Sequence, residues 1–235
     1  MARGLYRRFV LFVSRMLTTT YVRKYEFVGR EHVPKDGPLI VASNHLNNAD
    51  PPFLARALGR PPIFMAKKEM VEMPVFGLAF RAWGVFPVRR GEPDRAALRA
   101  AEDVLRRGEV LLMFPEGTRS RTGSMNHAHP GTGLIALRTG APILPMAITG
   151  SEGIRWPHCF LKPLSVRRVL ITIGEPFTLP PVTRINTESA RDATEQIMRH
   201  VARLLPSEYR GVYRDDIPTT KESVGAGLKT RAELP

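Results

Sequence analysis

The chain has 235 residues, enough for one large α/β domain with its own core. Lys plus Arg number 35 against 22 Asp plus Glu, a formal net charge of +13, which favours anionic partners: phospholipid head groups, an acidic carrier protein, a phosphorylated cofactor or nucleic acid. A single cysteine, Cys159, excludes an internal disulfide and a cysteine-based zinc cluster, and it fits a cytoplasmic protein.

At the N-terminus Leu5, Phe9, Phe12, Val13 and Met16 recur at helical spacing, flanked by Arg3, Arg7, Arg8 and Arg15. The continuous apolar run, Phe9 to Val13, is far short of the ~20 residues that a spanning helix needs. No small-residue cleavage site follows and Arg15 interrupts, which argues against a signal peptide. Two readings stay open: a basic amphipathic helix lying on an anionic membrane, or a helix packed on the domain with its arginines in water. The Phe-rich, Arg-flanked face favours the first.

A short strand is expected over Val22 to Val28 and a turn at Pro34-Lys35-Asp36-Gly37. The run Pro38 to Ala42 reads as a strand delivering His45 to its carboxyl end. Asp50, before Pro51-Pro52 and the apolar-periodic Phe53 to Leu58, reads as a helix start whose side chain caps the first free amides. A strand over Ile63 to Ala66 ends in Lys67-Lys68-Glu69. A helix from about Val75 to Ala82 and a strand Trp83 to Val88, ending in Arg89-Arg90-Gly91, come next. Asp94 caps a helix running to about Arg107, which Gly108 stops. Val110 to Phe114 is a strand without alternation, as in a sheet covered on both sides, and Pro115-Glu116-Gly117-Thr118-Arg119-Ser120 follows at once.

The loop from Arg121 to Pro130 carries glycines and histidines that suggest mobility; His127 and His129 read as loop residues rather than metal ligands. A helix near Gly133 to Leu137, strands over Ile143 to Ile148 and Val166 to Gly174, and a last helix over about Glu188 to Leu205 complete the pattern. From about Thr219 the end is expected to be disordered. Strands alternating with helices predict an α/β domain with a largely parallel sheet flanked by helices. The expected division is a membrane-association segment over residues 1–20, a catalytic domain over 21–210 and a polar tail over 211–235.

The strand ends share a property. His45 with Asp50, Lys67 with Lys68, Arg89 with Arg90, and Glu116 with Thr118 and Arg119 each follow an apolar run. In an open α/β sheet the carboxyl ends of the strands are where ligands bind. That edge would carry one base, one carboxylate partner and several cations, a combination suited to proton abstraction beside a phosphate. Blander roles remain open at the same residues. Asp50 can serve only as a cap and His45 can bond backbone. Glu116 and Arg119 can pair with each other, Arg89-Arg90 can be a solvated charge run, and Gly117 can be a backbone requirement alone.

Four blocks carry a resemblance. Asn44-His45 through Asp50 matches N-H-x-x-x-x-D, and Gly84 to Arg90 matches an apolar G-x-x-(F/I)-x-x-R. Phe114 to Ser120 is a complete F-P-E-G-T-R-S, and Ala141 to Ala147 is an apolar strand with prolines. In this order the blocks resemble the glycerolipid acyltransferase family that contains the 1-acyl-sn-glycerol-3-phosphate acyltransferases. The resemblance implies that His45 takes a proton from a glycerol hydroxyl that attacks an acyl thioester, and that Asp50 orients His45. It further implies that Arg90 or Arg89, and Arg119, hold the acceptor's phosphate, that Glu116, Gly117 and Thr118 belong to the acceptor-binding turn, and that Lys67 matches a lysine of the family. Arg89 stands where an acid is common in the second block, which leaves open which arginine binds.

The implied reaction moves a fatty acyl group from acyl-CoA or acyl carrier protein to lysophosphatidic acid, forming phosphatidic acid, with no separate cofactor, at the cytoplasmic face of the cell membrane. The rivals are another lysolipid or glycolipid acceptor, or a catalytically idle lipid-binding protein on the same fold. Nucleic-acid binding lacks any recognition motif.

Overall fold

Apolar runs that show no alternation form the middle of one sheet, as strands covered on both faces must. The computed structural model describes residues 2–74, 76–89, 94–154 and 166–215. In chain order the elements are α1 (Ala2–Tyr21), β1 (Val22–Val28), β2 (Leu39–Ser43), α2 (Asp50–Leu58), β3 (Pro62–Lys67), α3 (Lys68–Val71), α4 (Phe76–Ala82), β4 (Phe86–Val88), α5 (Arg95–Arg106), β5 (Val110–Met113), α6 (Gly131–Thr139), β6 (Ile143–Thr149), β7 (Val166–Ile173) and α7 (Thr187–Arg203). Among the described residues the strands form one sheet in the order β1-β7-β6-β2-β5-β3-β4.

From β6 through β2, β5 and β3 to β4 every pairing is parallel. β7 pairs with β6 antiparallel, and β1 joins β7 in parallel. The sheet is thus largely parallel, as expected, with one reversal at β6–β7. That reversal has a consequence for the edges. Val22 pairs with Val166 at the start of β7, and Leu170 pairs with Thr149 at the end of β6. So β1 begins on the edge where β6 and its parallel neighbours end.

Every residue of β2, β5 and β6 is buried. α1 and α2 pack together on one face of the sheet, while α5, α6 and α7 pack together on the other. Close approach of α6 and α7 requires Gly133: its amide donates to Thr194 Oγ1 at 2.9 Å, and a Cβ there would lie 2.2 Å from the carbonyl oxygen of Ala190. Asn186 opens α7 by accepting from the Ser189 amide, while the Ser189 hydroxyl accepts in return from the Asn186 amide.

The structure departs from the sequence reading in several places. The strand expected from Trp83 starts only at Phe86. Gly84 turns the chain at φ 81°, and the Trp83 indole donates to the Pro62 carbonyl at 3.2 Å. The loop from Arg121 to Pro130 is tied down rather than loose, because the Met125 amide donates to Tyr209 and the His129 amide to Pro115, both at 2.9 Å. Tyr209 and Tyr213, on short 3-10 turns after α7, are buried in the core, so packed chain runs past residue 210. Cys159 and the tail from Thr219 lie outside the described residues.

α1 buries a face other than the apolar one. Val10, Ser14 and Thr18 are fully buried, whereas Phe9, Phe12 and Met16 are 48%, 66% and 52% exposed. The buried hydroxyls are satisfied within the helix, Ser14 Oγ donating to Val10 and Thr18 Oγ1 to Ser14. Small residues let α1 lie close against α2 and leave its large apolar side chains facing outward. The side chains of Arg3, Leu5 and Arg7 lie outside the described part. Among the described residues no helix is long and apolar enough to cross a membrane.

Candidate active site

β2 ends at Ser43, and the next side chain prolongs its ladder. Asn44 Nδ2 donates to the Ile148 carbonyl and the Ile148 amide donates to Asn44 Oδ1, both at 2.9 Å. The buried amide group of Asn44 thereby acts as one more peptide between β2 and β6, and His45 leaves the sheet from a fixed point.

Asp50 is the first residue of α2 and is fully buried. Its carboxylate does not cap the helix: Ala49 occupies the cap position with no side-chain bond. The carboxylate turns back instead over the preceding loop. Asp50 Oδ2 accepts from the Leu46 amide at 2.7 Å, from the Asn47 amide at 2.8 Å and from His45 Nδ1 at 2.8 Å. Asp50 Oδ1 accepts from Ser151 Oγ at 2.6 Å. Four converging donors compensate the burial of this carboxylate. With Nδ1–H donating to Asp50, the Nε2 atom of His45 is the ring nitrogen left to accept a proton. The ring is 11% exposed and lies against Phe114, centroid to centroid 3.9 Å and 19° from coplanar.

Glu116 holds the other side of the histidine. It is 2% exposed; Oε1 accepts from the His45 amide at 3.1 Å, and Oε2 accepts from the Asn126 amide at 2.9 Å and Asn126 Nδ2 at 3.1 Å. Burial pushes its carboxyl above the ordinary value, although the Asn126 and His45 amides pull it back. The Ser120 amide donates to the His45 carbonyl at 2.8 Å, so the turn after β5 and the turn after β2 are one unit. Gly117 makes that turn at φ 66°, where a Cβ would lie 2.8 Å from Cδ2 of His129.

Thr118 and Arg119 stand on the exposed rim of the same turn. Both Glu116 oxygens are taken by the chain, so Glu116 and Arg119 do not pair. Among the described residues Arg119 has no ion-pair partner. Lys67 ends β3, half exposed, with its ammonium 3.5 Å from Glu69 Oε1. Arg89 follows β4 directly and is exposed, and its amide donates at 3.0 Å to Asp94, which also caps α5. Arg90 lies outside the described residues. At about 5 Å per strand, Lys67 stands two strands and Arg89 three strands from His45 along one edge. His45, Asp50, Glu116 and Gly117 are thus joined directly, Thr118 and Arg119 flank them, and Lys67 and Arg89 stand further off.

Sequence reading missed Ser151 and Asn126. Ser151 stands two residues past β6, so the rule that strand ends carry the site, applied to β6, would have found it. Asn126 carries no such signal. It depends on how the 121–130 loop returns to β5.

The chain is similar to known proteins over the segment that builds this site. A family model described as Acyltransferase matches residues 24–149, which include the His45–Asp50 turn and the whole Glu116 turn. A chloroplastic 1-acyl-sn-glycerol-3-phosphate acyltransferase of Brassica napus, BAT2, is 30% identical over 162 residues, which cover 63% of this chain and 47% of that protein. A 1-acyl-sn-glycerol-3-phosphate acyltransferase of Streptococcus pneumoniae is 30% identical over 173 residues, covering 72% of this chain and 61% of that one. The chain therefore spans about half the length of several relatives that it matches. The crystal structure of PlsC, a 1-acyl-sn-glycerophosphate acyltransferase from Thermotoga maritima, superposes with a TM-score of 0.61 at 27% identity, over 86% of this chain and 79% of that one.

Proposed function

The chain belongs to the Acyltransferase family, and from that premise we propose that it transfers an acyl group from a thioester to the free hydroxyl of 1-acyl-sn-glycerol-3-phosphate, forming phosphatidic acid. The observation that carries the chemistry is the His45–Asp50 contact at 2.8 Å, on a carboxylate that the chain itself surrounds with donors. The acceptor is supported by the printed names of the relatives and by the unpaired Arg119 beside the dyad.

His45 Nε2 takes the proton of the acceptor hydroxyl as its oxygen attacks the thioester carbonyl. Asp50 holds the ring and stabilises the imidazolium that forms. The tetrahedral intermediate collapses, the carbon–sulfur bond breaks, and His45 returns the proton to the departing thiolate. Asp50 and Glu116 orient the histidine from its ring and from its amide. Arg119 stands on the turn whose Ser120 amide bonds the His45 carbonyl, and its planar fork suits a phosphate. Lys67, Arg89 and Arg90 extend the cationic edge. The donor is acyl-CoA or acyl carrier protein. The exposed Phe9, Phe12 and Met16 support a peripheral seat on a membrane, on the cytoplasmic face, the side where either donor is found.

The test is thiol release from an acyl-CoA, then from an acyl carrier protein, with lysophosphatidic acid as acceptor, for wild type and His45→Ala. Release that requires the acceptor, yields phosphatidic acid and disappears in the variant is the expected result. Release that survives loss of His45 overturns the base assignment. Release supported by another lysolipid or a glycolipid, and not by lysophosphatidic acid, overturns the acceptor.

A further inference from the structure

Several arginines elsewhere in the molecule find carboxylates, and Arg60 and Arg210 find backbone carbonyls. Arg168 pairs with Glu26, and Arg138 with Glu102 at 2.9 Å. Arg56, on the outer side of α2, does not. Its guanidinium donates to Thr18 Oγ1 at 2.7 Å and lies 4.4 Å above the ring of Tyr25, whose hydroxyl in turn donates to the Phe53 carbonyl at 2.8 Å. No acidic group faces it among the described residues. Burial lowers its pKa, and the charge of Arg15 acts in the same direction. A fork held rigidly by one bond and one aromatic face, with its other N–H groups unclaimed, is organised for an anion.

The space in front of it is a recess of about 300 Å³ lined by Thr19, Val22, Arg23, Tyr25 and Arg56. That volume is at the lower end for small-ligand sites. Its position says what fills it. On α1, Arg8, Arg15 and Thr19 share the flank between the buried Val10–Ser14–Thr18 face and the exposed Phe9, Phe12 and Met16. The cations therefore sit at the border of the apolar face, the level at which phosphates lie when apolar side chains enter a bilayer surface. The recess opens where β1 begins, on the sheet edge that carries His45.

We infer that this recess binds the phosphate of an anionic phospholipid head group, gripped by Arg56 and Arg23 with Arg15 beside them, while Phe9, Phe12 and Met16 enter the same leaflet. It is separate from the acceptor site, three strands from β2, and it rests on the reading of α1 as a membrane-surface helix. Its effect is to fix the rotation of the domain on the membrane, not only its attachment.

The experiment is vesicle co-sedimentation of the full chain at fixed ionic strength, with phosphatidylcholine alone and with phosphatidylcholine containing phosphatidylglycerol. Binding to phosphatidylcholine alone reports on the apolar stripe, and the gain on adding phosphatidylglycerol reports on the recess. Arg56→Lys keeps the charge and loses the fork; Arg23→Gln removes an exposed charge without disturbing the core; Arg191→Gln on α7 removes a charge elsewhere. The expected result is that Arg56→Lys and Arg23→Gln each lose about tenfold of the phosphatidylglycerol gain, equivalent to 1.4 kcal/mol, while Arg191→Gln keeps it. A gain that survives in both recess variants, or falls equally in Arg191→Gln, overturns the site. Arg56-dependent binding of inorganic phosphate without vesicles, together with a phosphatidylglycerol gain indifferent to Arg56, overturns the lipid as its source.

Discussion

Two buried carboxylates flank His45, and they are used differently. Asp50 accepts two amides, one hydroxyl and the imidazole, whereas Glu116 accepts two amides and one carboxamide. Both are almost free of solvent and both hold the same residue. In the proposed mechanism only Asp50 touches a group that changes its proton count. The difference teaches that burial and donor count mark a scaffold, while contact with a titrating partner marks chemistry.

The largest effect should follow from exchanging the carboxylate that meets the ring. Asp50→Asn presents an amide where three donors point and removes the charge that supports the imidazolium. The expected loss is about a thousandfold in kcat with a smaller change in KM, measured by thiol release. A loss below tenfold would put Asp50 with Glu116 among the scaffold groups. Arg119→Gln comes next, at about thirtyfold in kcat/KM, or 2 kcal/mol of lost binding to the phosphate. Arg119→Lys should recover part of it, because the charge remains and the fork does not. An acceptor lacking phosphate should be indifferent to both changes.

Glu116→Gln sharpens the comparison from the other side. One of its oxygens becomes a donor facing a donor, which costs about 2 kcal/mol of stability, or roughly 6 °C in Tm for a domain of this size. Activity per folded molecule should fall far less than in Asp50→Asn. The pH dependence has a defined sign. Burial raises the folded carboxyl above its ordinary value of 4.5, so the folded state holds this proton more tightly than the unfolded chain does. The stabilisation from that proton is complete below the unfolded value and is lost as pH rises through the folded one. The Tm gap between wild type and Glu116→Gln should therefore narrow across that window, as thermal melts over a pH series will test. A gap that widens with pH contradicts the burial account.

Much of this site is legible in the chain because strand ends are local. His45, Lys67, Arg89 and Glu116 each follow an apolar run, and the parallel order of β6, β2, β5, β3 and β4 brings those ends to one edge. What the spacing misses is direction and distance. Asp50 occupies a helix start, but nothing in its spacing says that the carboxylate points backwards over Leu46 and Asn47 rather than forwards. Asn44 pairs with Ile148 and Glu116 with Asn126 only once the sheet and the 121–130 loop are assembled. In α1, Val10, Ser14 and Thr18 form the packed face. Two of the three are hydroxyl residues, so a search for apolar period selects the opposite face.

The smallest effect separates holding the carboxylate from holding the ring. Ser151 is fully buried and gives its hydroxyl proton to Asp50 Oδ1, the oxygen that does not meet His45. Ser151→Ala leaves that oxygen short of one donor and removes no charge. A neutral donor to a charged acceptor contributes on the order of 1 kcal/mol, so kcat should fall about fivefold. KM should stay constant for donor and acceptor, because Ser151 faces Asp50 from behind, away from the ring. Equal activity in Ser151→Ala would mean that the two amides and the imidazole already fix the carboxylate, and that β6 contributes to the site only through Asn44. A drop as large as that of Asp50→Asn would mean instead that the hydroxyl sets which oxygen faces the histidine. Circular dichroism melts of the same variant distinguish either outcome from a general loosening of β6.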